Sequence, residues 1–133
     1  MSVTLKDMMM EARQNVDEIP PDEAKRRIDA GEVELVLDVR EEGEWTRGHI
    51  PGAVHVPRGL LEIYADPSSP AAHPELTARK DARVVTYCWQ APGARSILAA
   101  HTLKRMGYEN VIALAGGLKA WKEQALPLET EEE

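Results

Sequence analysis

The 133-residue chain contains one cysteine, Cys88, so no internal disulfide can form and no second thiol can resolve a sulfur intermediate within the chain. No C-x-x-C pair exists, and the four histidines, His49, His55, His73 and His101, show no H-x-x-x-H spacing. A zinc site is therefore not expected, and neither is any other metal or cofactor. No stretch approaches ~18 uninterrupted apolar residues, which excludes a membrane-spanning helix. Met1 to Met10 lacks a basic leader followed by an apolar run, so secretion is not expected and a cytoplasmic location is. Positive charge is also short: 16 Lys and Arg against 23 Asp and Glu give a net charge of −7. That balance speaks against nucleic acid as a partner, and an anionic substrate would have to be attracted by local rather than global charge.

The length suits one domain with a single core, and 43% apolar residues fit a globular chain. Thr4 with Asp7 resembles a capping box, and Leu5, Met8, Met9, Ala12 and Val16 recur at helical spacing, so residues 1–18 read as an amphipathic helix with its lead-in. Pro20-Pro21-Asp22-Glu23 opens a second helix that Gly31 ends. Glu34 to Arg40 is a nearly continuous apolar strand ending in charge, with Asp38 and Arg40 on one side of it. Glu41 to Arg47 reads as a short helix, Gly48 to Ala53 as a tight loop in which His49 fixes the turn by hydrogen bonding, and Val54 to Val56 as a short strand. Arg58 to Tyr64 could form a helix before an irregular segment. Arg83 to Tyr87 and Asn110 to Leu114 read as buried strands, with a helix between them that Gly107 stops. Gly116-Gly117 permits a sharp turn into a last helix carrying Trp121 as a core residue. The acidic end, 129–133, reads as solvated and frayed. Alternating strands and helices without repeats argue a single α/β domain with a mainly parallel sheet.

Cys88 stands where the strand Arg83–Tyr87 hands over to the helix opening at Arg95. In an open α/β sheet the crevice beyond the carboxyl ends of the strands takes ligands. The next helix leaves its first N–H groups unpaired there, which suits an anion and favours thiolate over thiol. Arg95 adds a guanidinium fork matched to an oxyanion. The plain alternative is a buried, inert cysteine acting as a small hydrophobe.

Leu37-Asp38-Val39-Arg40, Glu44-Trp45, Gly48-His49-Ile50-Pro51-Gly52-Ala53, Tyr87-Cys88 through Arg95-Ser96 and Gly116-Gly117-Leu118-Lys119-Ala120-Trp121 together resemble the rhodanese-like sulfurtransferase family over about 19–128. The resemblance implies a doubly wound, five-stranded sheet with helices on both faces. It also implies a persulfide mechanism: Cys88 takes the outer sulfur of a small anionic donor such as thiosulfate and passes it to cyanide or a thiol. The loop residues Trp89, Gln90, Ala91, Gly93, Ala94 and Arg95 would hold the anion, with Arg40 and Arg58 as secondary candidates.

The loop departs from the family pattern. An arginine usually stands five positions after the cysteine, whereas Arg95 stands seven after Cys88, and Pro92 offers no N–H. Trp89 could cover the pocket mouth or pack beside the strand. A larger loop could in principle seat phosphate or arsenate. Against that, Tyr87 stands where cell-cycle-type phosphatases have histidine, and the loop contains no carboxylic acid to protonate a leaving group. A non-catalytic binding or regulatory module is the other alternative.

Overall fold

The structure, a computed structural model, describes residues 2–131. Five parallel strands form one sheet in the order β1-β5-β4-β2-β3, with β1 at Glu18–Ile19, β2 at Leu35–Asp38, β3 at Val54–His55, β4 at Arg83–Tyr87 and β5 at Asn110–Leu114. Helices α1 (Leu5–Asn15), α2 (Pro21–Asp29), α3 (Glu42–Arg47), α4 (Leu61–Ala65), α5 (Pro74–Thr77), α6 (Ala94–Arg105) and α7 (Gly117–Glu123) connect and cover them. The doubly wound, five-stranded architecture is the one expected.

Strand alternation divides the core in two. Leu35, Leu37, Val84 and Cys88 face one side of the sheet, with Met9 and Ala12 of α1, Leu61 of α4, Leu76 of α5, and Ile97 and Leu103 of α6. Val36, Val85 and Tyr87 face the other, against Ala24 of α2 and Leu118 and Trp121 of α7. The local signals hold where they were strong. Thr4 Oγ1 accepts the Asp7 N–H at 3.1 Å while Asp7 accepts the Thr4 N–H at 3.0 Å, closing the capping box of α1. Pro21 opens α2 with Asp22 and Glu23 in its first turn. The 58–65 segment begins as a 3-10 turn before α4. The two-residue β1 and four-residue α5 had no sequence signal, since neither is long enough to show a period.

The order of strands creates the site. From β2 the chain moves outward to β3, whereas from β4 it moves the other way to β5, so the loops after these two neighbours diverge and leave a crevice between them. Arg40 follows β2 and Cys88 follows β4 directly.

The frayed acidic end is corrected as far as residue 131. His49 and Glu129 exchange backbone hydrogen bonds, each 2.9 Å, and the Glu131 N–H donates to the Thr46 carbonyl at 3.1 Å. The turn at 48–53 leaves backbone groups that need partners, and the returning chain supplies them. Glu132 and Glu133 lie outside the described residues.

The turn into α7 is tightly constrained at Gly117. Its φ is +62°, and an added Cβ would lie 2.6 Å from the Trp89 carbonyl and 2.8 Å from that of Cys88. Gly117→Ala should therefore cost about 2–4 kcal/mol in urea unfolding, combining a left-handed backbone penalty with a backbone clash. A loss under about 0.5 kcal/mol would show that this approach is not tight.

Candidate active site

Cys88 directly follows β4 on the same side of the sheet as Val84 and lies beneath the start of α6. Cys88 is 3% exposed, as in the plain alternative of a buried cysteine. Alternation turns it inward, onto the α1 and α6 side. It is not enclosed by hydrocarbon alone, because its Sγ lies 3.4 Å from Ser96 Oγ. Ser96 is itself fully buried, its hydroxyl donating to the Gly93 carbonyl at 3.2 Å. Thr86 Oγ1 donates to the Ser96 carbonyl at 2.9 Å and ties the first turn of α6 to the central strand.

Two hydrogen bonds to α7 set the direction of the loop's peptide groups. The Leu118 N–H donates to the Cys88 carbonyl at 2.9 Å and the Lys119 N–H to the Trp89 carbonyl at 2.8 Å. In a trans peptide the C=O and the following N–H point opposite ways, so the N–H groups of Trp89 and Gln90 are directed away from α7. Gly93, in the left-handed conformation at φ +78°, donates its N–H to the Gln90 carbonyl at 2.9 Å. That amide is already used, unlike its neighbours. Among the described residues no hydrogen bond occupies the N–H groups of Trp89, Gln90, Ala91, Ala94, Arg95 or Ser96. The last three belong to the open first turn of α6. Six donors in the loop and helix start that follow the cysteine thus have no protein partner among the described residues, which suits an anion.

The charged side chains are arranged differently from the sequence expectation. Arg95 forks onto Glu44 of α3, with contacts of 2.6 and 3.2 Å. The hydrogen bond from Arg95 holds the Glu44 carboxyl below its ordinary value of 4.5, and Glu44 in turn raises the Arg95 guanidinium. Arg40 is buried against Asp38, with its Nε 3.0 Å from Oδ1 and its terminal nitrogen 2.7 Å from Oδ2, and that same nitrogen donates to the Gly48 carbonyl at 2.7 Å. Arg40 thus braces the end of β2. Arg58 donates to Glu62 and to Thr102 Oγ1. Thr102 is six residues, roughly 9 Å of helix rise, beyond Ser96, so Arg58 is not brought to the cysteine. A long side chain four residues before an acid on a helix satisfies itself locally.

Trp89 is half-buried, packed with the α7 side of the core, and Lys122 Nζ lies 5.6 Å from its ring centre. With Arg40, Glu44, Arg47, Leu118 and Lys122 it also borders a cavity of about 300 Å³. Tyr87 is fully buried; its hydroxyl accepts the Ile50 N–H at 3.1 Å, and burial pushes that hydroxyl well above the usual tyrosine range. Gln90, Ala91 and Pro92 form the exposed tip, which includes a cis Ala91–Pro92 bond. From α1, Arg13 donates to the Pro92 carbonyl at 2.8 Å. Glu44, Ser96 and Arg13 had no assigned role from sequence. The first two lay inside recognised motifs, and nothing in the spacing could connect Arg13 to a loop 79 residues away.

The structure thus places a cysteine at the switch point of a doubly wound parallel sheet, followed by backbone amides without protein partners. The chain belongs to the rhodanese-like domain family, whose model matches residues 20–124. A protein of Allochromatium vinosum named sulfurtransferase is 34% identical over 113 residues, covering 85% of this chain and 94% of the relative. A Bacillus subtilis protein named as a candidate sulfur carrier is 33% identical over 107 residues, covering 80% of this chain, which spans only 51% of that relative's length. Among solved structures, a Rhodopseudomonas palustris protein of unknown function, described as a possible tyrosine phosphatase, superposes with a TM-score of 0.88 at 34% identity, covering 97% of this chain and 96% of that one.

The Glu44–Arg95 pair should be visible in the pH dependence of stability. Because the folded Glu44 carboxyl is held below its ordinary value, its contribution is complete above pH 4.5 and is lost as pH falls through the folded value. The stability advantage of the native protein over Glu44→Gln should be constant from neutral pH to about 5 and shrink below 4.5. An advantage unchanged down to pH 3 would contradict the pairing.

Proposed function

We propose that the protein is a sulfurtransferase that carries a sulfane sulfur on Cys88. The thiolate attacks the outer sulfur of thiosulfate, the S–S bond of the donor breaks, and sulfite leaves with the electron pair. A cysteine persulfide remains. An acceptor, cyanide carbon or a thiolate, then attacks the terminal sulfur, and the Cys88 thiolate leaves. No metal or redox cofactor enters this balance, and one thiol suffices.

The observation that carries the reading is the set of six unpaired N–H groups in a loop that begins at the only cysteine. Backbone donors of this kind stabilise both the anionic donor and the terminal sulfur of the persulfide without adding a titrating group. Ser96, 3.4 Å from Sγ, can turn its hydroxyl toward the sulfur once the thiol proton is gone. The relatives named for sulfur transfer and sulfur carriage support the same chemistry. Since Sγ is buried, the donor reaches it only through a local rearrangement around the cysteine.

Two other readings each have an observation in their favour. The C-x6-R-S loop, with a hydroxyl beside the sulfur and an arginine at the start of the next helix, fits phosphate ester chemistry, as does the description of the R. palustris structure. The burial of Sγ fits a domain that binds a partner without turning over.

Incubation with thiosulfate should add the mass of one sulfur, absent in Cys88→Ser, and cyanide should then release thiocyanate. Arg95→Ala should lower kcat/KM for thiosulfate about a hundredfold, the equivalent of two charge-assisted hydrogen bonds worth ~3 kcal/mol, while Arg58→Ala stays within about twofold. Turnover of an aryl phosphate without the mass gain would establish the phosphatase reading instead. Neither activity, with Cys88 unreactive toward both, would establish a binding module.

A further inference from the structure

The docked chain end brings two carboxylates to a buried histidine. His49 Nε2 lies 3.2 Å from Glu129 Oε1 and 3.4 Å from Glu131 Oε1. His49 is fully buried, whereas both glutamates are about half exposed. The other ring nitrogen, Nδ1, lies 3.0 Å from the Trp45 carbonyl. A carbonyl only accepts, so Nδ1 carries a proton, and Nε2 is the ring nitrogen that faces the two carboxylates. With a proton on Nε2, the 3.2 Å contact to Glu129 is a hydrogen bond.

The same distances also suit a metal cation in place of that proton. A tetrahedral cation with ligand bonds of about 2.0–2.1 Å places its ligand atoms about 3.3–3.4 Å apart. The two nitrogen-to-oxygen distances match that edge, and the three ligand atoms all lie within 4.8 Å of one another. The surroundings hold the ligands without help from an ion. Trp45 stacks on the His49 ring at a centroid distance of 3.4 Å and its carbonyl fixes the tautomer, as outer-shell partners of metal-bound histidines do. The Gly52 N–H donates to Glu129 Oε1 at 3.1 Å. The paired backbones of His49 and Glu129 fix the approach of the chain end.

We propose that His49, Glu129 and Glu131 form a binding site for a divalent cation of the zinc class. One imidazole nitrogen and two carboxylate oxygens are the ligands, and the fourth position is open to water. Such an ion staples residues 129–131 to the 48–53 turn, whose Gly48 carbonyl anchors Arg40. The absence of any zinc spacing in the sequence is no obstacle, because the ligands come from positions 80 residues apart.

The test uses the full chain carrying Cys88→Ser, so that the thiol cannot bind the metal. Cobalt(II) should give the intense visible bands of a four-coordinate site at one equivalent, displaced by zinc(II), and zinc should raise Tm. Glu129→Gln with Glu131→Gln should weaken binding by about a hundredfold or more while leaving circular dichroism unchanged. No binding at about 100 μM metal, or equal binding by the double variant, overturns the site. Should the double variant fail to fold, zinc added to the Cys88→Ser protein must shift the His49 ring and the 129–131 amides in NMR. Shifts confined to other residues overturn the proposal equally.

Discussion

The two hydrogen bonds from the start of α7 to the Cys88 and Trp89 carbonyls are what the rest of the site depends on. They pull both carbonyls to one side of the loop, and peptide planarity then sends the next two N–H groups to the other. Only glycine at 117 lets α7 come close enough, because any Cβ there would strike the very carbonyls being held. The helix that completes the core with Leu118 and Trp121 therefore also orients the donors next to the sulfur. Packing on one face of the sheet is converted into polarity at its mouth.

The charges around the crevice are largely paired within the protein. Arg40 is bound to Asp38 and Gly48, and Arg95 to Glu44. A buried guanidinium with a carboxylate partner contributes geometry more than free positive potential. On the proposed function, anion affinity in a chain of net charge −7 rests on backbone amides, which remain donors at every pH. In the proposed reaction Arg95 joins them by exchanging Glu44 for the anion.

Much of this was legible in the sequence where the signal is local. The apolar run 83–87 and the helix after it placed Cys88 at a strand-to-helix junction, and the motifs from Leu37 to Trp121 in order pointed to the family and its fold. What the sequence did not show is pairing across distance. Glu44 meets Arg95 across 51 positions, Arg13 meets Pro92 across 79, and Glu129 meets His49 across 80. Each is fixed by topology, to which spacing along the chain is blind. The acidic composition of 129–131 pointed to a free end because composition records charge and not the backbone groups awaiting a partner. Arg40 and Arg58 are secondary site candidates in the sequence, and their partners Asp38 and Glu62 stand only two and four residues from them.

The central claim is that the amides of Trp89, Gln90, Ala91, Ala94, Arg95 and Ser96 hold an anion next to Cys88. Amide proton and nitrogen shifts in the Cys88→Ser protein, followed as thiosulfate and then sulfite are added, test it without turnover. The account predicts saturable downfield movement centred on those six amides. Saturable movement elsewhere, with those amides unchanged, would contradict it.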